Sequence, residues 1–129
     1  MGDSDTLRSE LMESGPANIP EFGTFKNPGG FKALYEMDSY HHVKADTPYP
    51  AIMLTTGVND PRVAPWQAAK MTARLQASTS SSKPILLRVE YEAGHGIGST
   101  KTQRQQELAD EWSFLLWQFG DSQFQPARQ

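Results

Sequence analysis

Two apolar runs decide most of what this chain can fold into. AIMLTTG (51–57) and PILLRVEY (84–91) are continuous stretches of apolar and β-branched residues, without the alternation of a strand that has one wet face. Such runs fit strands covered on both faces, as in a parallel sheet. Between them, 65–77 reads as a helix: Pro65 suits a first turn, and Trp66, Ala69, Ala73 and Leu75 supply an apolar side. A long helix is expected over 101–119, where Leu108, Trp112, Leu115 or Leu116, and Phe119 recur at helical spacing. Its aromatic residues Trp112, Phe114 and Trp117 are most simply core. Strand, helix, strand, helix is a βαβα unit over 51–119, with parallel strands joined by a right-handed crossover. The predicted class is α/β.

The rest of the chain frames that unit. Residues 1–27 form an irregular, polar lead-in, broken by Gly15, Pro16, Pro20 and Gly23, with a short helix expected over 5–13. Residues 28–50 hold a short helix and a loop. Asn27-Pro28 opens the helix, and Phe31, Leu34 and Tyr35 share one of its faces. STSSSK (78–83) is a flexible surface connection, and 120–129 is a tail. At 129 residues, 37% of them hydrophobic, the chain is the size of one domain with a modest core.

Composition removes several function classes. The net charge of -3 comes from interspersed acids and bases, so no basic face points to nucleic acid and no polybasic run to an anionic membrane. No apolar run approaches the roughly 20 residues of a membrane span. The start, MGDSDTLRSE, lacks the basic and apolar regions of a secretion signal. With no cysteine there is no disulfide, thiolate zinc site or cysteine nucleophile, and the compartment stays open between cytoplasm and periplasm.

In open α/β sheets, sites gather outside the carboxyl ends of the strands. Two loops stand there: NDPR after the first strand and GHGIG after the second. They carry Asp60 and His95, 35 residues apart. If the strands are neighbours, the loops meet. The carboxylate then fixes the tautomer of the imidazole, leaving its other nitrogen to take a proton from a nucleophile. The glycines let the loop turn and let another backbone come near. Two plainer readings stand beside this one: Asn-Asp-Pro is a common turn opener, and a loop histidine is often merely solvated. Arg62 pairs with Asp60, faces solvent, or holds a substrate carbonyl. No serine here stands in a G-x-S-x-G nucleophile elbow. His41-His42 makes no metal pair, because adjacent side chains diverge and no third ligand is spaced to help. GHGIG lacks the spacing of a dinucleotide fingerprint. No metal and no cofactor are expected.

YHHVK, YPAIMLTTGVNDPRVAPWQAAKMTARLQA and EAGHGIGS, in that order, resemble the C-terminal end of the prolyl oligopeptidase family of serine peptidases. Upstream, EFGTFKNPGGFKALYEMDSYHHV and LRSELMESG are similar to the same family's region between nucleophile and acid, so the resemblance covers about 7–119. It implies the C-terminal portion of an α/β-hydrolase catalytic domain whose triad runs Ser, Asp, His. Asp60 matches the triad aspartate in its N-D-x-R-V setting, and His95 the triad histidine in A-G-H-G. Arg62 matches the arginine that holds a peptide carbonyl near the cleaved proline. Pro61 stands where some relatives carry another acid or a glycine. The family's serine elbow, oxyanion-hole residues, earlier strands and propeller have no counterpart here, so the resemblance implies a piece of a larger peptidase, inactive alone.

The expected function is thus the Asp and His half of a serine peptidase that cleaves short peptides after proline. The expected partners are a proline-containing peptide and the rest of the catalytic domain with its serine. Self-association is also expected, because strands cut from a larger sheet leave an edge that pairs with other chains. Two other readings are an acylaminoacyl peptidase or esterase relative, and a non-catalytic α/β interaction domain that acts by binding.

Overall fold

The computed structural model describes residues 2–92, 94–96 and 99–127, divided between two units, Met1–Ile97 and Gly98–Gln129. The first unit opens with a 3-10 helix, Thr6–Leu11, inside the span 5–13 expected to hold a short helix. Asp5 stands at its N-cap position but makes no capping bond, because its carboxylate is turned to the Lys70 ammonium. A second 3-10 turn, Gly15–Asn18, runs into the single turn of α1 (Ile19–Phe22).

α2 (Pro28–Met37) starts where Asn27-Pro28 placed it: Asn27 Oδ1 accepts the Gly30 N–H at 2.8 Å, filling one of the free donors of a first turn. Gly30 is required for another reason. A Cβ there would lie 2.1 Å from the Thr24 carbonyl oxygen, so only glycine lets the two backbones approach. Of the three residues expected on one face of α2, Leu34 is buried, while Phe31 and Tyr35 stack on each other in the open with ring centres 6.3 Å apart.

β1 (Ile52–Gly57) and β2 (Ile85–Glu90) form a two-stranded parallel sheet, in register from Ile52 opposite Ile85 to Gly57 opposite Glu90. α3 (Trp66–Ser78) makes the crossover and packs on both strands. Val43, Leu75 and Ile85 are the centre of the core, with Tyr49, Ile52, Leu54 and Met71 against it. The strands are only half-covered: Leu86 is 39% exposed. α3 also departs from expectation. Its buried face is Gln67, Ala68, Thr72 and Leu75, whereas Ala69 and Ala73 are exposed. The buried stripe is rotated because two of its members are polar groups with partners: the Thr72 hydroxyl donates to the Ala68 carbonyl, and Gln67 binds the lead-in.

The second unit is α4 (Lys101–Phe119) followed by a 3-10 turn, Ser122–Phe124. Thr100 and Gln103 close a capping box, with Thr100 Oγ1 accepting the Gln103 N–H at 3.2 Å and Gln103 Oε1 accepting the Thr100 N–H at 2.7 Å. Gly120, at φ +84°, ends the helix in the left-handed conformation. None of the described α4 residues is buried: of the three aromatic residues expected in the core, Trp112 is well exposed, while Phe114 and Trp117 are half-buried and meet edge to face with ring centres 6.2 Å apart. No described helix is long and apolar enough to cross a membrane.

Candidate active site

Parallel strands end at the same edge, and here both loops that leave that edge carry a titratable group. After β1, the Asp60 N–H bonds the Gly57 carbonyl at 3.3 Å and turns the chain sharply. The Asp60 carboxylate then accepts the N–H groups of Arg62 at 2.8 Å and Val63 at 2.9 Å through Oδ1. This is the side-chain-to-backbone turn that Asn-Asp-Pro favours. The turn-forming reading of Asp60 is therefore correct as far as it goes, but the carboxylate has further bonds to make.

The second loop is stitched to the first. Asn59 Nδ2 donates to the carbonyls of Tyr91 at 3.3 Å and Glu92 at 3.5 Å, just past β2. Gly94 lies so near Asn59 that a Cβ would come within 2.8 Å of the Asn59 carbonyl oxygen, and Gly96 adopts φ +72°. These are the close approach and the positive φ for which glycine is suited. Ala93, Ile97 and Gly98 of the expected glycine loop lie outside the described residues.

The result is that His95 Nδ1 meets Asp60 at 2.8 Å from Oδ2 and 3.1 Å from Oδ1. With the carboxylate as acceptor, the bond assigns the proton to Nδ1. Nε2 makes no hydrogen bond among the described residues. The Asp60 side chain is fully buried and that of His95 is partly exposed. Burial alone pushes the Asp60 carboxyl up. The Val63 N–H, the His95 ring and the Arg62 N–H outweigh it and hold the group below the usual carboxylate range. A carboxylate kept ionised behind an imidazole is the arrangement that orients a general base and stabilises its protonated form.

Arg62 is brought to the same place without pairing with Asp60 through its side chain. Its backbone N–H binds Asp60, its carbonyl accepts the Ser14 hydroxyl at 3.1 Å, and its exposed side chain borders a cavity of about 600 Å³. Arg62, Val63 and His95 line one part of that cavity. The remainder comes from the lead-in and α2, with Met12, Ile19, Phe22, Leu34 and Met37 making much of it apolar. A mostly apolar hollow with a few polar groups is the usual form of a small-ligand site.

Glu10 and Asp3 add acids to the cavity wall. The Thr24 hydroxyl and the Lys26 ammonium hold the Glu10 carboxyl low. Burial raises that of Asp3, against a bond from the Ser9 hydroxyl and helped by the charges of Asp5 and Asp38.

The lead-in contributes more to the cavity than its sequence suggested. The signal was available only as isolated apolar residues, Met12, Ile19 and Phe22, in a stretch too broken for periodicity. A second polar cluster lies beneath it. Asp5, Asp38 and His41 offer ligand atoms within 4.8 Å of one another, so His41 has carboxylate neighbours that sequence spacing did not show. These atoms are engaged as an ion-pair network. Lys70 and Arg8 face Asp5, while Asp38 accepts the His41 N–H at 2.8 Å, His41 Nδ1 at 2.9 Å and the Leu7 N–H at 3.1 Å.

Comparison with known proteins gives this geometry a setting. The sequence model described as the prolyl oligopeptidase family matches residues 2–122. The prolyl endopeptidase of Elizabethkingia meningoseptica is 37% identical over 121 residues, which are 93% of this chain and 17% of that relative. A solved prolyl endopeptidase structure superimposes with a TM-score of 0.84 at 38% identity, over 88% of this chain and 17% of that one. Prolyl oligopeptidase B from Galerina marginata, bound to a 35mer hydrolysis and macrocyclization substrate, matches with a TM-score of 0.84 at 30% identity, over 92% of this chain and 17% of that one. The chain thus spans about 17% of the length of the relatives it matches.

Proposed function

The chain belongs to the prolyl oligopeptidase family, as part of its α/β-hydrolase catalytic domain, and on that premise we propose that it supplies the acid and the base of a serine peptidase acting after proline. The observation that carries the reading is the 2.8 Å bond between Asp60 and His95 at the ends of adjacent parallel strands, beside the cavity. The nucleophile is a serine outside this sequence, since no serine here stands in G-x-S-x-G.

In the proposed reaction His95 Nε2 takes the serine proton as its oxygen adds to the carbonyl carbon of the peptide. Asp60 stabilises the imidazolium that results. The proton then passes to the leaving amine as the C–N bond breaks, leaving an acyl-serine. Water, deprotonated by the same imidazole, releases the peptide acid and restores the serine. Arg62 donates to a backbone carbonyl of the substrate, and the apolar cavity wall receives the proline ring. The partners are accordingly a proline-containing peptide and the rest of the catalytic domain.

Alone, the chain is expected to be inactive, because a base without a nucleophile forms no acyl intermediate. The test is to assay a chromogenic prolyl peptide with the chain alone, and then with a separately produced polypeptide carrying the serine elbow. Activity in the mixture only, abolished by His95→Ala, is the expected result. Activity of the chain alone means another nucleophile acts, and activity surviving His95→Ala removes the histidine from its role.

The half-covered sheet supports a further part of the proposal. An open strand edge and a partly uncovered face pair with other chains, so the isolated chain self-associates. Sedimentation at increasing concentration should show species above the monomer mass. A single monomer throughout would rule this out.

A further inference from the structure

Gln67 is fully buried in the first turn of α3, and it holds a segment more than sixty residues away. Its Oε1 accepts the Asp5 N–H at 2.7 Å, the Ser4 N–H at 3.2 Å and the Ser4 hydroxyl at 3.2 Å. Its Nε2 donates to the Asp5 carbonyl at 3.3 Å. The carboxamide therefore presents an acceptor and a donor side by side to the N–H and C=O of one residue, as a neighbouring strand would. The backbone carbonyl of Gln67 also accepts the Ser4 hydroxyl, at 3.0 Å. One turn on, Lys70 pairs with the Asp5 carboxylate.

These bonds fasten the lead-in to the segment that leaves Asp60. Two contacts continue the seam toward the cavity: the Ala64 N–H reaches Met12 Sδ at 3.4 Å, and the Ser14 hydroxyl reaches the Arg62 carbonyl at 3.1 Å. Asp3, Thr6, Ser9 and Met12 line the cavity from the lead-in, and Arg62 and His95 line it from the strand ends. The Ser4–Asp5 anchor thus lies between wall residues. Gln67 itself does not line the cavity.

We propose that Gln67 is a positioning residue: through its bonds to Ser4 and Asp5 it fixes the lead-in wall of the cavity against Arg62 and His95, and so sets how well the cavity holds the apolar residue of a peptide. The affinity part rests on reading that cavity as the substrate site; the positioning part rests on the hydrogen bonds alone. Glutamine is needed because it is long enough to reach a backbone N–H and its carbonyl together, and because the Ser4 and Asp5 N–H groups have no other partner among the described residues, whereas the Asp5 carbonyl also accepts the Arg8 N–H and the Ser9 hydroxyl.

The experiment uses the 129-residue chain, with Gln67→Met to remove the polar head at similar length and Gln67→Glu to keep an acceptor for the Ser4 and Asp5 N–H groups. Three readouts are taken by NMR: the affinity for N-benzyloxycarbonyl-glycyl-proline, amide exchange at Asp5 and inside α3, and the His95 Nδ1 proton. Gln67→Met is expected to weaken the peptide about tenfold and speed exchange at Asp5, and Gln67→Glu to recover part of both. Exchange inside α3 and the His95 proton should not move.

Unchanged affinity and unchanged Asp5 exchange in both variants overturn the proposal. So does a variant in which α3 and the His95 proton are lost together with the affinity, because Gln67 is then a general packing residue. If the unsubstituted chain fails to bind the peptide, the reading of the cavity as a substrate site falls. The positioning role is then decided by exchange alone: acceleration confined to Asp5 upholds it, and no acceleration refutes it.

Discussion

Asp60 and His95 stand at the ends of two hydrogen-bonded strands, whereas the Ser4–Met12 segment, which borders the cavity together with His95, belongs to no sheet and is held largely by side chains. The two regions reach order by different routes. A parallel ladder sets the position of every loop that leaves it, so one further side chain, Asn59 donating to the Tyr91 and Glu92 carbonyls, is enough to bring acid and base together. The lead-in has no ladder. Beyond the short-range bonds of its own turns and one from the Tyr40 N–H to the Ser4 carbonyl, it is held by Gln67, by Asp38 accepting the Leu7 N–H, and by the Thr6 hydroxyl donating to the Leu34 carbonyl of α2. Order from a ladder is distributed over many backbone bonds. Order from three or four polar side chains is concentrated, and single substitutions find it.

The largest effect should come from the ladder side and leave the fold intact. Asp60→Asn keeps the shape and the bonds from Arg62 and Val63, but its amide no longer holds the imidazole as the ionised acceptor does. Activity of the reassembled enzyme should fall about 10⁴-fold, while the urea midpoint of the chain changes little. Equal loss of activity and stability would mean that the acid serves the turn first, and the contrast between the regions would fail.

An intermediate effect is expected from the core that both regions depend on. Leu75, on α3, is 3% exposed and packs with Val43 and Ile85. Leu75→Ala should cost about 2–5 kcal/mol by lost burial and the cavity it leaves, read from urea unfolding. Because α3 carries both the crossover and Gln67, amide exchange should rise at the strand ends and in the lead-in alike. Loosening of the lead-in alone would show that the sheet is stable without its helix.

The contrast also explains what sequence reading reached. Apolar runs, an intervening helix and punctuation by Asp60, Gly94 and Gly96 are local signals, and parallel order converts them into a spatial one: the two loops share an edge. The proximity of Asp60 and His95 was therefore legible, while their roles remain the proposal above. Gln67 was not legible. In a helix whose apolar side was sought along Trp66, Ala69, Ala73 and Leu75, it counts as one polar residue, and its partners are 62 and 63 positions away. Arg62 is intermediate: sequence placed it at the site, and three roles were open for its side chain. The structure leaves it at the cavity border without an ion pair to Asp60 among the described residues.

The smallest effect should come from a side chain that holds the lead-in, Asp38 at the end of α2, and depend on pH. Asp38 is fully buried, and burial raises its carboxyl, but the His41 N–H, the Leu7 N–H and the His41 ring together hold it below its ordinary value of 3.8. A folded-state value below the unfolded one means that the unfolded chain binds the proton first. The contribution of Asp38 is therefore complete above the ordinary value and is lost as pH falls through the folded one. Asp3 works in the opposite sense, since its raised carboxyl gives a contribution that is complete at low pH and fades as pH rises through the folded value. Asp38→Asn keeps an acceptor but removes the charge, so it should destabilise the chain by on the order of 1 kcal/mol at pH 7. Urea midpoints of the two proteins should converge as pH is lowered below about 4. Exchange at the Leu7 amide should report the change while the His95 Nδ1 proton stays in place. A gap that persists at low pH would mean that the carboxylate's charge does not order the lead-in, and that packing around α2 holds it instead.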